Sequence, residues 1–255
     1  MQNSLDPDLA AVLQYGCQEN FAAYIKYMMP EYQMAPHLTK LIKLLEKVER
    51  GEIKRLMVFM PPRHGKSQTV SRLFPSWFMG KHPDREVIFA TYAQDFADDF
   101  GRQVRGFIGS EPYQHVFPDV QLSMDSRARA RFNLDNNSGS YFAVGRGGPI
   151  TGRGGHLIVI DDPIKNREEA QSDLIRENLY QWYQSTLYTR LAPGGVLVLV
   201  QTRWHEDDLA GRIIENDPDE WAIIEFPAIS DDNVPLWQDR DWETTLHPEP
   251  DGYIT

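Results

Sequence analysis

The sequence predicts an α/β fold in which helices flank a mainly parallel central sheet. First, Leu56 to Thr69 reads LMVFMPPRHGKSQT, an apolar run, a tight proline-containing loop and a Gly-Lys-Ser start to a helix. Second, strand and helix patterns alternate after it, as they do when parallel strands lie side by side with helices on their faces. Third, a buried-strand pattern, Leu157 to Ile160, ends in adjacent carboxylates, Asp161 and Asp162, where open α/β sheets bind ligands.

The Gly-Lys-Ser loop organises the rest. Backbone N–H groups at a helix N-terminus point at phosphates, Lys66 would neutralise their charge, and the Ser67 hydroxyl would hold Mg²⁺. Pro62, Arg63, His64, Gly65, Lys66, Ser67 and Gln68 therefore form the expected triphosphate cradle. The usual pattern has glycine where this chain has Met60, and a plain surface turn is the alternative for Gly-Lys-Ser alone. The strand before the loop and the acidic motif after it favour the phosphate site.

The 255 residues suffice for one large domain or two small ones, and 41% apolar with 25% charged residues is ordinary for a globular chain. No run approaches the roughly 18 apolar residues that a membrane span needs. MQNSLDPDLA has neither the basic nor the apolar region of a signal peptide, so a cytoplasmic location is expected. The single Cys17 leaves no intrachain disulfide or thiolate zinc site and reads as core filler. A net charge of −11, from 26 basic and 37 acidic residues, excludes coating of DNA through the overall field, so nucleic-acid contacts must be local or shared among subunits.

Residues 5–29 carry apolar positions loosely at helical spacing and stop before Pro30. Pro36 opens a stronger helix, with Leu38, Leu41, Ile42, Leu45 and Val48 on one face and Gly51 as its stop. Between them Tyr32, Gln33 and His37 could meet an adenine ring, with ordinary packing and capping as the alternative. After the phosphate loop a helix is expected from Lys66 to Met79, a strand over Glu86 to Thr91 and a helix from Gln94 to Ile108. Residues 109–140 read as a loop-rich excursion with a short hairpin ending in Tyr141 to Val144. They carry a basic cluster, Arg127, Arg129 and Arg131, which is either a solvated face or a polyanion contact.

Gly145 to Gly155 is a glycine-rich loop bearing Arg146 and Arg153, just before the acidic strand. There Asp161 would bind Mg²⁺ and Asp162 would polarise the attacking water; a capping turn is the alternative reading of the pair. A long helix over Arg167 to Leu191, ended by Pro193-Gly194-Gly195, leads to a buried strand whose polar tip is Gln201, Thr202 and Arg203. A tip beside a terminal phosphate can sense its presence. His205 to Asp208 reads as a helix cap rather than a metal site, followed by a helix to Asn216 and a strand over Trp221 to Phe226.

MPPRHGKS, GRGGHLIVIDDP and LVLVQTRWHEDDLAGRI, in that order and spacing, resemble the ATPase domain of the large terminase subunit of tailed double-stranded DNA bacteriophages, over about Tyr32 to Phe226. The resemblance implies an ASCE-type P-loop NTPase that uses ATP and Mg²⁺. In the family it assembles as a ring, by resemblance a pentamer, on the portal of a procapsid in the host cytoplasm and drives double-stranded DNA inward with a small terminase subunit. In isolation the chain could be a monomer. Carried over by position, Lys66 and Ser67 hold phosphates and Mg²⁺, Asp161 is the Mg²⁺ acid, and Gln201 and Thr202 form the coupling motif, with Arg203 beside them. Asp162 falls where the family usually has a catalytic glutamate, and the family's loop arginine position holds Pro62, with Arg63 one residue nearer the lysine. Arg153, with Arg146 second, is the candidate arginine finger.

The expected organisation is an N-terminal helical segment over 1–50, an ATPase core over 51–205 and a C-terminal lid or linker over 206–255. The family's nuclease domain is expected to be absent, with no DNA cleavage by this chain. A helicase-like translocase and a non-hydrolysing nucleotide-binding module are the alternatives.

Overall fold

The computed structural model describes residues 7–123, 131–135, 139–150, 152–217 and 221–227. Its sheet contains β1 (Arg55–Phe59), β2 (Glu86–Thr91), β3 (Arg131–Asn133), β4 (Ser140–Gly145), β5 (Gly155–Asp161), β6 (Leu191–Gln201) and β7 (Ala222–Glu225). The strand order is β3-β4-β2-β5-β6-β1-β7, and every pairing is parallel except β3 with β4. The central strands are continuous apolar runs because both faces are covered. Leu56 and Val58 of β1, Val87 and Phe89 of β2, Leu157 and Val159 of β5 and Val196, Val198 and Val200 of β6 enter one core. Their alternates, including Met57, Ile88, Ile158, Ile160, Leu197 and Leu199, enter the other.

The first face is covered by α1 (Pro7–Glu19), α2 (Phe21–Met28), α3 (Pro36–Glu49), α4 (Phe74–Lys81), α5 (Gln94–Ile108) and α6 (Glu111–Val116). The second carries α7 (Arg167–Ala170), α8 (Asp173–Trp182) and α9 (Leu209–Asn216). Because β6 lies between β1 and β5, the strand tips bearing the phosphate loop, the polar Gln201-Thr202 pair and the twin aspartates stand in a row.

Several boundaries differ from expectation. Within the 5–29 stretch the described residues form two helices, α1 and α2, because the Asn20 side chain accepts a hydrogen bond from the Ala23 N–H and starts α2 afresh. The helix after the phosphate loop widens into a π-helical segment, Gln68–Leu73, before α4; Pro75, with no N–H, cannot continue the regular ladder there. The Arg167–Leu191 helix is interrupted where Ser172 caps α8, and it passes through a π-helical segment, Tyr183–Leu187, and a 3₁₀ turn, Tyr188–Arg190. Pro193-Gly194-Gly195 lies inside β6, where the register with β5 is irregular and Gly194 takes φ 74°.

The excursion holds the unforeseen helix α6. Its hairpin strand β4 also joins the main sheet, parallel to β2. Arg127 and Arg129 lie outside the described residues, as do 228–255 of the expected C-terminal lid. Within 206–227, α9 packs in the second core and β7 pairs with β1.

Candidate functional site

The phosphate loop leaves β1 through Met60, whose N–H donates to the Gln201 carbonyl, so the sheet ladder continues one residue past the strand. Met60 is buried and its φ is not positive; the left-handed turns come later, at Arg63 (φ 65°) and Gly65 (φ 88°). The glycine expected by the usual pattern is therefore not needed at 60, and Gly65 supplies the strained conformation. A Cβ on Gly65 would lie 3.0 Å from Leu38 Cδ1.

Two side chains, one from α3 and one from the segment before it, brace the loop. His37, buried, hydrogen-bonds through Nε2 to the His64 carbonyl at 3.0 Å, and His64 Nδ1 contacts the Pro62 carbonyl at 2.8 Å. The buried Tyr32 hydroxyl meets Thr69 Oγ1, and Thr69 donates to the Gly65 carbonyl at 2.9 Å. Tyr32 and His37 thus hold the loop rather than present a free face to a base, and Gln33 is the exposed member of the three. Gln68 Nε2 rests 3.1 Å from Met29 Sδ, while Pro62 and Arg63 are exposed.

Lys66 joins the strand tips. Only 4% exposed, it places Nζ 2.7 Å from Asp162 Oδ2, 2.9 Å from Asp162 Oδ1 and 2.6 Å from Thr202 Oγ1. The Thr202 N–H donates to Asp162 Oδ1 at 2.8 Å, so one carboxylate ties the loop lysine to the β6 tip. Asp162 takes φ 40°, a left-handed turn that re-aims its side chain from the end of β5.

Asp161 is 2% exposed; its Oδ2 accepts from Ser71 Oγ at 2.7 Å, and its Oδ1 has no hydrogen-bond partner among the described residues. Burial, reinforced by the neighbouring Asp162 charge, raises its carboxyl to about 6, against the Ser71 hydrogen bond, the Lys66 charge and Ser67. An orphaned buried oxygen beside the Lys66–Ser67 loop fits a bound divalent cation, with Ser67 and Asp161 as the holding residues. Ser71 was not foreseen, although it stands four residues after Ser67 on one helix.

Beyond Thr202, Gln201 is 2% exposed, and its side-chain amide faces the Asp208 carboxylate. Arg203 stacks its guanidinium 4.8 Å from the Phe59 ring centroid and donates to Asp208 Oδ2 at 2.6 Å. Asp208 in turn caps α9 by accepting from the Gly211 N–H. Asp207 pairs with Arg176 and Arg212, so the acidic run after His205 serves caps and ion pairs.

The two arginine candidates lie at opposite ends of the sheet. Arg146 follows β4 at the site end, where it donates to Glu169 at 2.9 Å and to the Pro163 carbonyl. Arg153 precedes β5, so the length of that strand, about 20 Å at ordinary rise, separates it from Asp161. It stacks 5.0 Å from the Phe142 centroid in a polar pocket with Glu86 and Arg131. The first-choice finger therefore cannot reach its own chain's lysine site.

Residues 57–251 match the family model described as terminase large subunit, T4likevirus-type, N-terminal. The large terminase of bacteriophage HK97 has a similar structure, with a TM-score of 0.58 at 13% identity over 84% of this chain. This chain spans 44% of the HK97 protein. The large terminase ATPase domain of Thermus phage P74-26 aligns with a TM-score of 0.43 at 14% identity, covering 67% of this chain and 70% of that one. None of the curated proteins searched matches by sequence. The HK97 likeness, with the strand order and loop geometry, gives the chain the P-loop ATPase fold.

Proposed function

The chain belongs to the family of terminase large-subunit N-terminal domains, and from that premise we propose that it is a Mg²⁺-dependent ATPase whose turnover moves double-stranded phage DNA into a procapsid. The observation that carries this reading is the meeting of Lys66, Asp162 and Thr202 within 2.9 Å at three adjacent strand tips. Gly65, Lys66 and Ser67 bind and orient the phosphates of ATP through the loop amides and the lysine charge. Bound Mg²⁺, held by Ser67 and Asp161, would neutralise charge on the terminal phosphates.

Asp162 accepts a proton from, or polarises, the attacking water once the phosphates draw Lys66 away from it. Thr202 touches Lys66, the Asp162 carboxylate and the Met60 carbonyl, so a moving lysine shifts the β6 tip. Arg203 carries that shift through Asp208 to α9, which gives the coupling motif Gln201-Thr202-Arg203 a mechanical route.

Arg153, remote from its own site, fits a finger delivered to a neighbouring copy's nucleotide; Arg146 is the candidate within the chain. That geometry favours a homo-oligomeric ring; its docking at a portal with a small subunit follows from the family rather than from the geometry. The test is ATP turnover by the chain and by Lys66→Ala. We expect a loss of orders of magnitude, and equal rates would leave only a non-hydrolysing nucleotide-binding module.

A further inference from the structure

We propose that a cavity remote from the nucleotide site, between the end of α8 and the end of α9, binds an organic cation of side-chain size, a guanidinium or ammonium group, through Tyr180, Tyr183, Tyr188 and Asp217. The cavity measures ≈ 270 Å³ and is completed by Gln184, Asn216 and Ile213. That volume is below the range typical of drug-sized ligands, about 300–1,000 Å³, and suits a single compact headgroup.

Three tyrosine rings form an angled wall. Tyr180 and Tyr183 are nearly parallel, with centroids 6.5 Å apart and planes at 22°, while Tyr183 and Tyr188 meet at 5.6 Å and 54°. Tyr183 is only 5% exposed, and what remains of it lines the cavity.

Asp217 brings negative charge to the cavity. Asp217 is exposed, and no described residue pairs with its carboxylate. It also ends α9, where the helix carbonyls add partial negative charge. Two of the rings already receive guanidinium groups of the chain itself: Arg55 lies 5.4 Å from the Tyr188 centroid and Arg212 lies 5.9 Å from that of Tyr180. Arg212 is neutralised by Asp207 and Glu177, while Arg55 is a positive charge on the Tyr188 side, opposite in sign to Asp217. Aromatic faces with a carboxylate recognise cations. A nucleobase could stack on the same rings, but its phosphates would meet Asp217 and the exposed Glu215.

A basic side chain of a partner protein and a free polyamine present the same chemistry. Titrating the full chain by calorimetry at low salt with Ala-Arg-Ala amide, spermidine and adenosine separates them. We expect saturable cation binding that weakens about tenfold in Asp217→Asn and in Tyr180→Ala, with ATP turnover unchanged, since neither residue belongs to the nucleotide site. Asp217 is exposed, so its variant keeps the test valid should Tyr180→Ala lose stability. Tighter peptide than spermidine identifies a partner's side chain, and the reverse identifies a polyamine. Absence of saturable cation binding, equal affinity in Asp217→Asn, or displacement of the cation by adenosine overturns the proposal, whatever becomes of the ATPase reading.

Discussion

Asp162→Asn isolates what the central ion pair does. Lys66 Nζ sits 2.7 Å from the carboxylate with its side chain 5% exposed. At an effective dielectric near 20 the gross attraction is about 6 kcal/mol. Desolvation cancels most of it, and a charge-assisted hydrogen bond nets about 1.5–3 kcal/mol. ATP must draw Lys66 away from this partner, so the pair competes with the nucleotide. Asparagine keeps an acceptor for the Thr202 N–H, at 2.8 Å in the parent, and removes the charge. If about 1–2 kcal/mol of the pairing is released, a non-hydrolysable ATP analogue with Mg²⁺ binds roughly 5- to 30-fold more tightly. Turnover falls about 10²–10⁴-fold because the group that polarises water is gone. Calorimetry reads the first effect and phosphate release the second. Weaker analogue binding, or kcat within about threefold of the parent, would refute the reasoning.

Three further outcomes follow from the same geometry. Gly65→Ala forces a side chain into φ 88° and to 3.0 Å from Leu38 Cδ1, costing about 1–2 kcal/mol locally; ATP affinity should drop about tenfold while Tm moves by only a few degrees. Mixing Arg153→Ala subunits with Asp162→Ala subunits should restore ATP turnover at high protein concentration, because the finger and the water-polarising carboxylate then come from different chains. No recovery at any concentration counts against delivery in trans. The hydrogen bond from Arg212, against burial and with help from Arg176, holds the Asp207 carboxyl down at about 2. Its folded pKa lies below the unfolded value near 3.9, so its contribution is complete above about pH 4 and disappears as pH falls toward 2. The side chain is 37% exposed, so screening reduces that contribution to about 1 kcal/mol or less. Denaturant titrations of Asp207→Asn should show a flatter stability slope between about pH 4 and pH 2, and an unchanged slope would contradict the assignment.

The sheet was readable because its strands are buried on both faces and therefore spell continuous apolar runs, as in Leu157–Ile160 and Val196–Val200. The loop and the twin aspartates were readable because they stand at the ends of such runs. Long-range bracing was not: nothing local says that Tyr32 reaches Thr69, or that His37 holds the His64 carbonyl. Helix breaks escaped for a similar reason. Asn20 and Ser172 are acceptable inside a helix by propensity, and only their side-chain bonds to Ala23 and Ile175 turn them into new starts. The remoteness of Arg153 was legible: it precedes the strand whose far end carries Asp161, so an extended run of seven residues had to separate the two.

Met60, which departs from the usual phosphate-loop pattern, and Asp162, which departs from the family's glutamate, both have backbone causes. Met60 continues the β1 ladder and enters the core at a position where no left-handed turn occurs, so an apolar side chain is favoured there over glycine. Asp162 does stand in a left-handed turn, where Asp and Asn are tolerated better than longer side chains. From that backbone its short arm reaches both Lys66 and the Thr202 N–H. A glutamate would carry the carboxylate about one C–C bond farther and give up at least one of those contacts. The aspartate therefore exchanges reach for a carboxylate fixed between the loop and the β6 tip. It follows that Asp162→Glu should lower turnover less than Asp162→Asn does, because it retains a base while loosening that tie. A glutamate variant as inactive as the asparagine one would show that position, rather than charge, is what the reaction requires.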